Sequence, residues 1–251
     1  MGWLHDGHRA LTQRARAENS TTVVTIFVNP RQFNEAADYT RYPRDEPHDL
    51  AICDEERVDL VWAPPVDEVY PAGFDTTISV GAVARPLEGA ARPGHFDGVA
   101  TVVAILFNVV GAERAYFGQK DAQQVMVIRQ MARDLAIPTE VIACPTVREP
   151  DGLALSSRNV HLSGDERAAA PVLQRALLAA RGAWRAGERS AEALRAVMRE
   201  TLSAEPLADV DYVSVADGTT LAELDSVDGP ALLSLAVRFG PTRLIDNEPL
   251  P

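Results

Sequence analysis

Lys120 is the only lysine in a chain that places arginine at every other basic position. Arginine is a planar fork, whereas lysine is a compact point charge on a flexible stem that can follow a phosphate as it moves. The residue sits in Phe117-Gly118-Gln119-Lys120-Asp121, followed by Ala122-Gln123-Gln124. Residues 114–117 read as a short strand, Gly118 as a turn, and Asp121 as the N-cap of a helix over 122–135. A lysine between a strand end and a helix start stands in the usual ligand crevice of an open α/β sheet. The plainer reading is a surface lysine that persists by chance.

Three other groups carry chemistry. Met1-Gly2-Trp3-Leu4-His5-Asp6-Gly7-His8 leads into a helix from residue 9. His-x-Gly-His at a helix start would aim two imidazoles and backbone N–H groups at one anion, with Gly7 permitting close approach. Paired histidines could instead bind metal, although no Cys or carboxylate stands at ligand spacing nearby. Asn29 and Gln32 follow a β-branched run and fall in a strand-end loop, where amides either orient a small polar ligand or only close the turn. Ser156-Ser157-Arg158 offers two hydroxyls and a guanidinium in succession to a polyphosphate.

The elements that must position these groups alternate strand and helix. Residues 22–28 (TVVTIFV) read as a buried parallel strand, 38–47 as a loop, 49–56 as a helix and 58–62 as a strand. A proline-bearing connection over 63–73 precedes a strand over 76–80, and 85–98 reads as a long Gly/Pro loop of the functional or mobile kind. Residues 99–110 are apolar almost all round, the mark of a buried helix, although periodicity alone leaves a strand open. After a strand over 139–146 the composition shifts. Ser163-Gly-Asp-Glu166 is a capping box opening a helix to about residue 185, a second helix spans 190–202, and strands fall at 211–215 and 231–239. The boundary is placed at Thr146, giving domains 1–146 and 147–251.

At 251 residues the chain can bury a real core, and its 46% hydrophobic content is that of a globular protein. No run approaches the roughly 18 apolar residues of a membrane span. A formal charge of −12 argues against nucleic acid as main partner, while leaving room for a nucleotide in a local basic pocket. Cys53 and Cys144 lack metal spacing and read as buried free thiols of a reducing cytoplasm.

Taken in order, MGWLHDGH, IFVNPRQF, RPGHFDGVATVV, YFGQKDAQQ, PTVREPDGLALSSRN, DYVSV and TRLIDN resemble the pantothenate synthetase (pantoate–β-alanine ligase) family over nearly the whole chain. The resemblance implies an α/β fold: a Rossmann-like nucleotidyltransferase domain with a smaller α+β C-terminal domain acting as a lid, usually as a cytoplasmic homodimer. It implies ATP-dependent joining of (R)-pantoate to β-alanine through a pantoyl adenylate, with release of AMP and pyrophosphate and with Mg²⁺. It assigns His8, His5 and Lys120 to catalysis. Met1, Gly2, Trp3, Leu4, His5, Asp6, Gly7, His8, Gly118, Gln119, Lys120, Asp121, Val147, Leu155, Ser156, Ser157 and Arg158 would hold ATP. Gln32 and Gln124 would hold pantoate, Gln32 would also meet β-alanine, and Asn29 and Arg92 would lie near the substrates; the metal ligands stay unassigned. His5, His8, Lys120 and Arg158 would supply positive charge to the departing pyrophosphate.

The chain also departs from the family pattern. The family's first motif follows a strand, whereas this chain begins at the motif, so the sheet is expected to lack that strand and Met1 to be internal to a longer natural chain. Leu155 replaces the usual Met, a volume-conserving change. His48 and Ile105 stand where an acidic residue and a lysine are expected. Two alternatives follow: a non-catalytic nucleotide-binding remnant, or another nucleotidyltransferase with the same His-x-Gly-His and Ser-Ser-Arg logic.

Overall fold

The computed structural model describes residues 2–34 and 36–251, with backbone only for residues 36–38. Contacts divide the chain into two units, Met1–Gln119 with Gln123–Pro145, and Lys120–Ala122 with Thr146–Pro251. A split at one point near residue 146 cannot express the grouping of Lys120–Ala122 with the second unit.

In the first unit α1 (Asp6–Glu18) leads to β1 (Val23–Thr25), α2 (Ala36–Arg41), α3 (Glu46–Glu55), β2 (Leu60–Trp62), α4 (Val66–Val69), α5 (Glu88–Ala91) and α6 (His95–Val110). Then follow β3 (Arg114–Gly118), α7 (Ala122–Asp134) and β4 (Glu140–Cys144). β1 pairs with β2 and β3 with β4, both in parallel, each through a helical crossover as parallel strands require. Among the described residues these form two two-stranded sheets rather than one continuous sheet.

Four expectations over this region change. Residues 38–47 are not all loop, because α2 runs to Arg41 and the Asp45 side chain caps α3. Residues 76–80 form no strand: the Thr76 carbonyl accepts from Arg31 at 3.0 Å and Ile78 N–H donates to Thr101 Oγ1 at 2.9 Å, so side chains take the groups a ladder would use. The long Gly/Pro segment contains α5, and α6 already begins at His95, entered through Gly94 at φ +80°. The strand read over 22–28 is only three residues long, because the chain turns into a 3₁₀ helix at Pro30. α6 is a helix and is buried along most of its length, as its apolar circumference requires. Both cysteines are buried free thiols, and burial pushes both thiols up from their ordinary range.

In the second unit α8 (Gly164–Ala169), α9 (Val172–Arg185) and α10 (Ala191–Ser203) precede the antiparallel sheet β5 (Asp209–Asp217), β6 (Ala231–Phe239) and β7 (Thr242–Leu250), in spatial order β5-β6-β7. The capping box at Ser163 forms, but the single helix expected to residue 185 is two: Pro171 lacks an N–H and breaks the ladder. β6, nearly all apolar, is the central strand, and Leu233, Leu235 and Val237 pack with Leu173, Leu177, Leu194 and Met198 of α9 and α10. β7 has no counterpart among the expected strands; Asp246 and Asn247 break its apolar pattern, and both are buried.

Candidate active site

The His-x-Gly-His turn is held from below by α3. Asp49, 1% exposed, accepts Trp3 N–H at 2.9 Å and Leu4 N–H at 2.6 Å through its two carboxylate oxygens. That grip sustains Trp3 at φ +54°, a conformation a bulky residue rarely adopts. Leu4 is thereby inserted among Val24, Ile52 and Cys53. His48 completes the clamp: its ring packs tilted against Trp3 with centroids 5.8 Å apart, and its Nε2 lies 3.2 Å from the Leu4 carbonyl. Sequence reasoning misses Asp49. The available signal is a carboxylate sharing the i, i+3, i+4 face of Ile52 and Cys53, where a charge needs a partner.

His5 caps α1. Its Nδ1 accepts Gly7 N–H at 3.1 Å, while His8 Nδ1 accepts His5 N–H at 3.3 Å, a capping box built from two imidazoles. The rings pack against each other tilted, with centroids 4.1 Å apart. A nitrogen that accepts a hydrogen bond carries no proton, so each neutral ring bears its N–H at Nε2. Both Nδ1 atoms are thus engaged by the cap at the positive end of α1, which leaves Nε2 of each ring for other contacts. Among the described residues no group of three or more His, Cys, Asp or Glu is placed to hold a metal. Gly2 is buried, with Val28 Cγ2 3.2 Å from where a β-carbon would stand; Met1 lies outside the described residues.

A second cluster of this unit gathers Asn29, Gln32 and Arg92. Asn29, 2% exposed, donates from Nδ2 to Gln32 Oε1 at 3.1 Å and to the Gly98 carbonyl at 3.0 Å, and accepts from Tyr70 Oη at 2.7 Å. The Gln32 carbonyl accepts from Arg92 Nη2 at 3.1 Å and lies 2.8 Å from His95 Nδ1. His95 and Tyr70 are absent from the sequence-derived site, although His95 stands inside the RPGHFDG motif. Gln123 is structural, bonding Glu88 N–H and the Val83 and Pro86 carbonyls, while its neighbour Gln124 is half-buried on the first turn of α7. Gly118 ends β3, Gln119 opens the 3₁₀ turn Gln119–Asp121, and both are half-buried.

Two predictions arise here. A β-carbon at Gly98 would stand 2.3 Å from the Arg31 carbonyl oxygen and 2.9 Å from the Gln32 nitrogen, both backbone atoms. Gly98→Ala should therefore displace the Asn29–Gln32 turn, lowering stability by about 1–3 kcal/mol in urea titrations. Burial pushes the Tyr70 phenol up to about 12, partly offset by Arg31. Its folded value lies above the ordinary 10, so its stabilisation is complete below pH 10 and is lost as pH rises towards 12, where the unfolded chain releases the proton first. Tyr70→Phe should be about 1 kcal/mol less stable at pH 8 and should lose less stability than the parent between pH 10 and 12.

In the second unit Val147 and Leu155 face each other across a hairpin, Leu155 N–H donating to the Val147 carbonyl at 3.0 Å. Gly152 turns it at φ +96° and Arg167 pins its tip through Glu149 at 2.5 Å and Asp151 at 2.6 Å. The Arg167 guanidinium holds the Asp151 carboxyl below its ordinary range. The chain then enters a 3₁₀ turn, Ser157–His161, capped by the Ser156 hydroxyl accepting from Arg158 N–H at 3.2 Å. Ser156, Ser157 and Arg158 are therefore consecutive on one capped turn. Lys120, grouped with this unit, places Nζ 3.3 Å from Asp121 Oδ1 and is 17% exposed.

A family model described as pantoate-beta-alanine ligase matches residues 1–249. The chain is 62% identical over 247 residues to a pantothenate synthetase of Roseiflexus castenholzii, spanning 98% of this chain and 89% of that protein. It is 63% identical over 249 residues to one of Chloroflexus aggregans, spanning 98% and 90%. The crystal structure of pantothenate synthetase from Thermus thermophilus superposes with a TM-score of 0.96 at 51% identity, covering 99% of this chain and 90% of that one. The pantoate-beta-alanine ligase of Francisella tularensis, complexed with "Beta-gamma ATP and Beta-alanine", gives 0.79 at 35%, covering 99% and 86%. By family match, sequence identity and fold together, the chain belongs to the pantoate-beta-alanine ligase family.

Proposed function

We propose that this chain condenses (R)-pantoate with β-alanine at the expense of ATP, through a pantoyl adenylate, releasing AMP and pyrophosphate. The observation that carries the reading is the histidine turn: both Nδ1 atoms are committed to backbone N–H groups, so both Nε2–H groups are set as donors at a helix N-terminus. Such an arrangement suits a phosphate, and the match of residues 1–249 to the ligase family supports that assignment.

In this reading the pantoate carboxylate attacks the α-phosphate, and the protein's task is alignment and stabilisation of the departing pyrophosphate. Met1–His8, Gly118–Asp121, Val147 and Leu155–Arg158 are assigned to ATP, with His8 donating a proton, His5 beside it, and Lys120 and Arg158 supplying fixed positive charge. Gln32 and Gln124 are assigned to pantoate, with Asn29 and Arg92 shaping the turn that carries Gln32. β-Alanine's amine then attacks the acyl carbonyl, and AMP leaves. Mg²⁺ would arrive on the phosphates, as it does where no all-protein cage exists, and would neutralise their charge. We assign the chain to the cytoplasm and to a homodimer; no helix among the described residues is long and apolar enough to cross a membrane.

A non-catalytic remnant has against it a family-model match that runs over residues 1–249. The test is AMP release by the purified chain with ATP, Mg²⁺, pantoate and β-alanine, each omitted in turn. AMP that requires both organic substrates supports the ligase. AMP formed with neither supports a different nucleotidyltransferase, and ATP binding without AMP supports the remnant.

A further inference from the structure

Asp246 and Asn247, the end of the TRLIDN motif, have no part in the reading so far. Successive strand residues point to opposite faces of a sheet, so β7 presents these two side chains on its two sides. Asp246, its side chain 2% exposed, receives a bidentate bond from Arg148, Nη1 at 2.6 Å and Nη2 at 2.9 Å. A fork of that kind fixes both distance and orientation. Arg148 Nη1 also donates to the Gly152 carbonyl at 3.1 Å, across the hairpin that carries Val147 and Leu155. Asn247 Nδ2 donates to the backbone carbonyl of Lys120 at 2.8 Å, across 127 positions of sequence. Its own N–H donates to Asp246 Oδ1 at 2.8 Å, which locks the two residues to each other. One buried dipeptide thus fastens both the turn bearing the only lysine and the hairpin leading into Ser156-Ser157-Arg158. All of these contacts lie in the second unit.

We propose that Asn247 is a positioning residue for Lys120, and Asp246 for the 147–155 hairpin, in the ligase reaction. The flexible lysine stem can place its ammonium only as well as its backbone is held, and the Lys120 carbonyl is held by Asn247. A merely structural role would make the same bonds contribute to folding without passing through Lys120. The proposal rests on the assignment of Lys120 to the nucleotide.

The test is a double-mutant cycle of Asn247→Ala and Lys120→Ala, read as kcat and KM for ATP with radiolabelled nucleotide, alongside thermal unfolding of each variant. Asn247→Ala should lower kcat about 10-fold, the scale of a sub-ångström misplacement. In the Lys120→Ala background the same change should have almost no effect. Asn247→Asp, isosteric but without the donor, should match or exceed the alanine loss, and covers the case in which the smaller side chain disturbs folding. Asp246→Asn should raise KM for ATP several-fold while KM for β-alanine stays unchanged. Rate losses that multiply in the double mutant, or that merely track lowered unfolding temperature, would overturn the proposal while leaving the ligase reading intact. A wild-type chain that forms no AMP would overturn both.

Discussion

Lys120→Ala is expected to lower kcat for AMP formation by about 10²–10³-fold, the effect of removing one preorganised group from a developing anion. The unfolding midpoint should stay near that of the parent, because the ammonium pairs with Asp121, its neighbour in sequence. Adjacent, partly exposed ion pairs contribute little to stability. Lys120→Arg separates charge from shape. A guanidinium keeps the charge but brings a rigid fork to a place where a point charge is required, so it should recover only a small part of the lost rate. Steady-state kinetics on three proteins, with circular dichroism on each, checks this. If all three show equal kcat, Lys120 has no role on the nucleotide.

Asp49→Ala should have the second-largest effect, and a different signature. Two consecutive N–H groups, those of Trp3 and Leu4, lose their acceptor, and the buried one at Leu4 has no water to turn to. The expected loss is about 2–3 kcal/mol, measured by urea titration, because buried donors bonded to a charge are expensive to orphan. The Trp3 backbone, no longer held at φ +54°, should relax and carry the His5–His8 turn with it, raising KM for ATP. Asp49→Asn, retaining one oxygen acceptor, should fall between the two.

The candidate residues stand out in the sequence more than their supports do. Lys120, the histidine pair and Ser156-Ser157-Arg158 draw attention by residue type, as one lysine among arginines and two imidazoles at a helix start do. The groups that hold them do not. Asp49 is 45 positions from Leu4, and Asn247 is 127 from Lys120, distances that no local pattern bridges. The histidine tautomers are hidden for the same reason, since Nδ1 capping is visible only once the turn is folded. Secondary structure is misread where side chains replace backbone partners, as Arg31 and Thr101 do beside residues 76–78. Strong apolar patterning carries through: α6, α10 and β6 each lie within a few residues of their expected bounds.

The most direct test of the central claim is oxygen transfer from pantoate labelled with ¹⁸O in its carboxylate. If that carboxylate attacks the α-phosphate and β-alanine then displaces AMP, one ¹⁸O must appear in AMP and the other remain in the new amide. Mass spectrometry should find AMP carrying a single ¹⁸O, formed only when β-alanine is present. Label in orthophosphate with ADP as the product, or AMP without label, would contradict the acyl adenylate and with it the roles assigned to His8, Lys120 and Arg158.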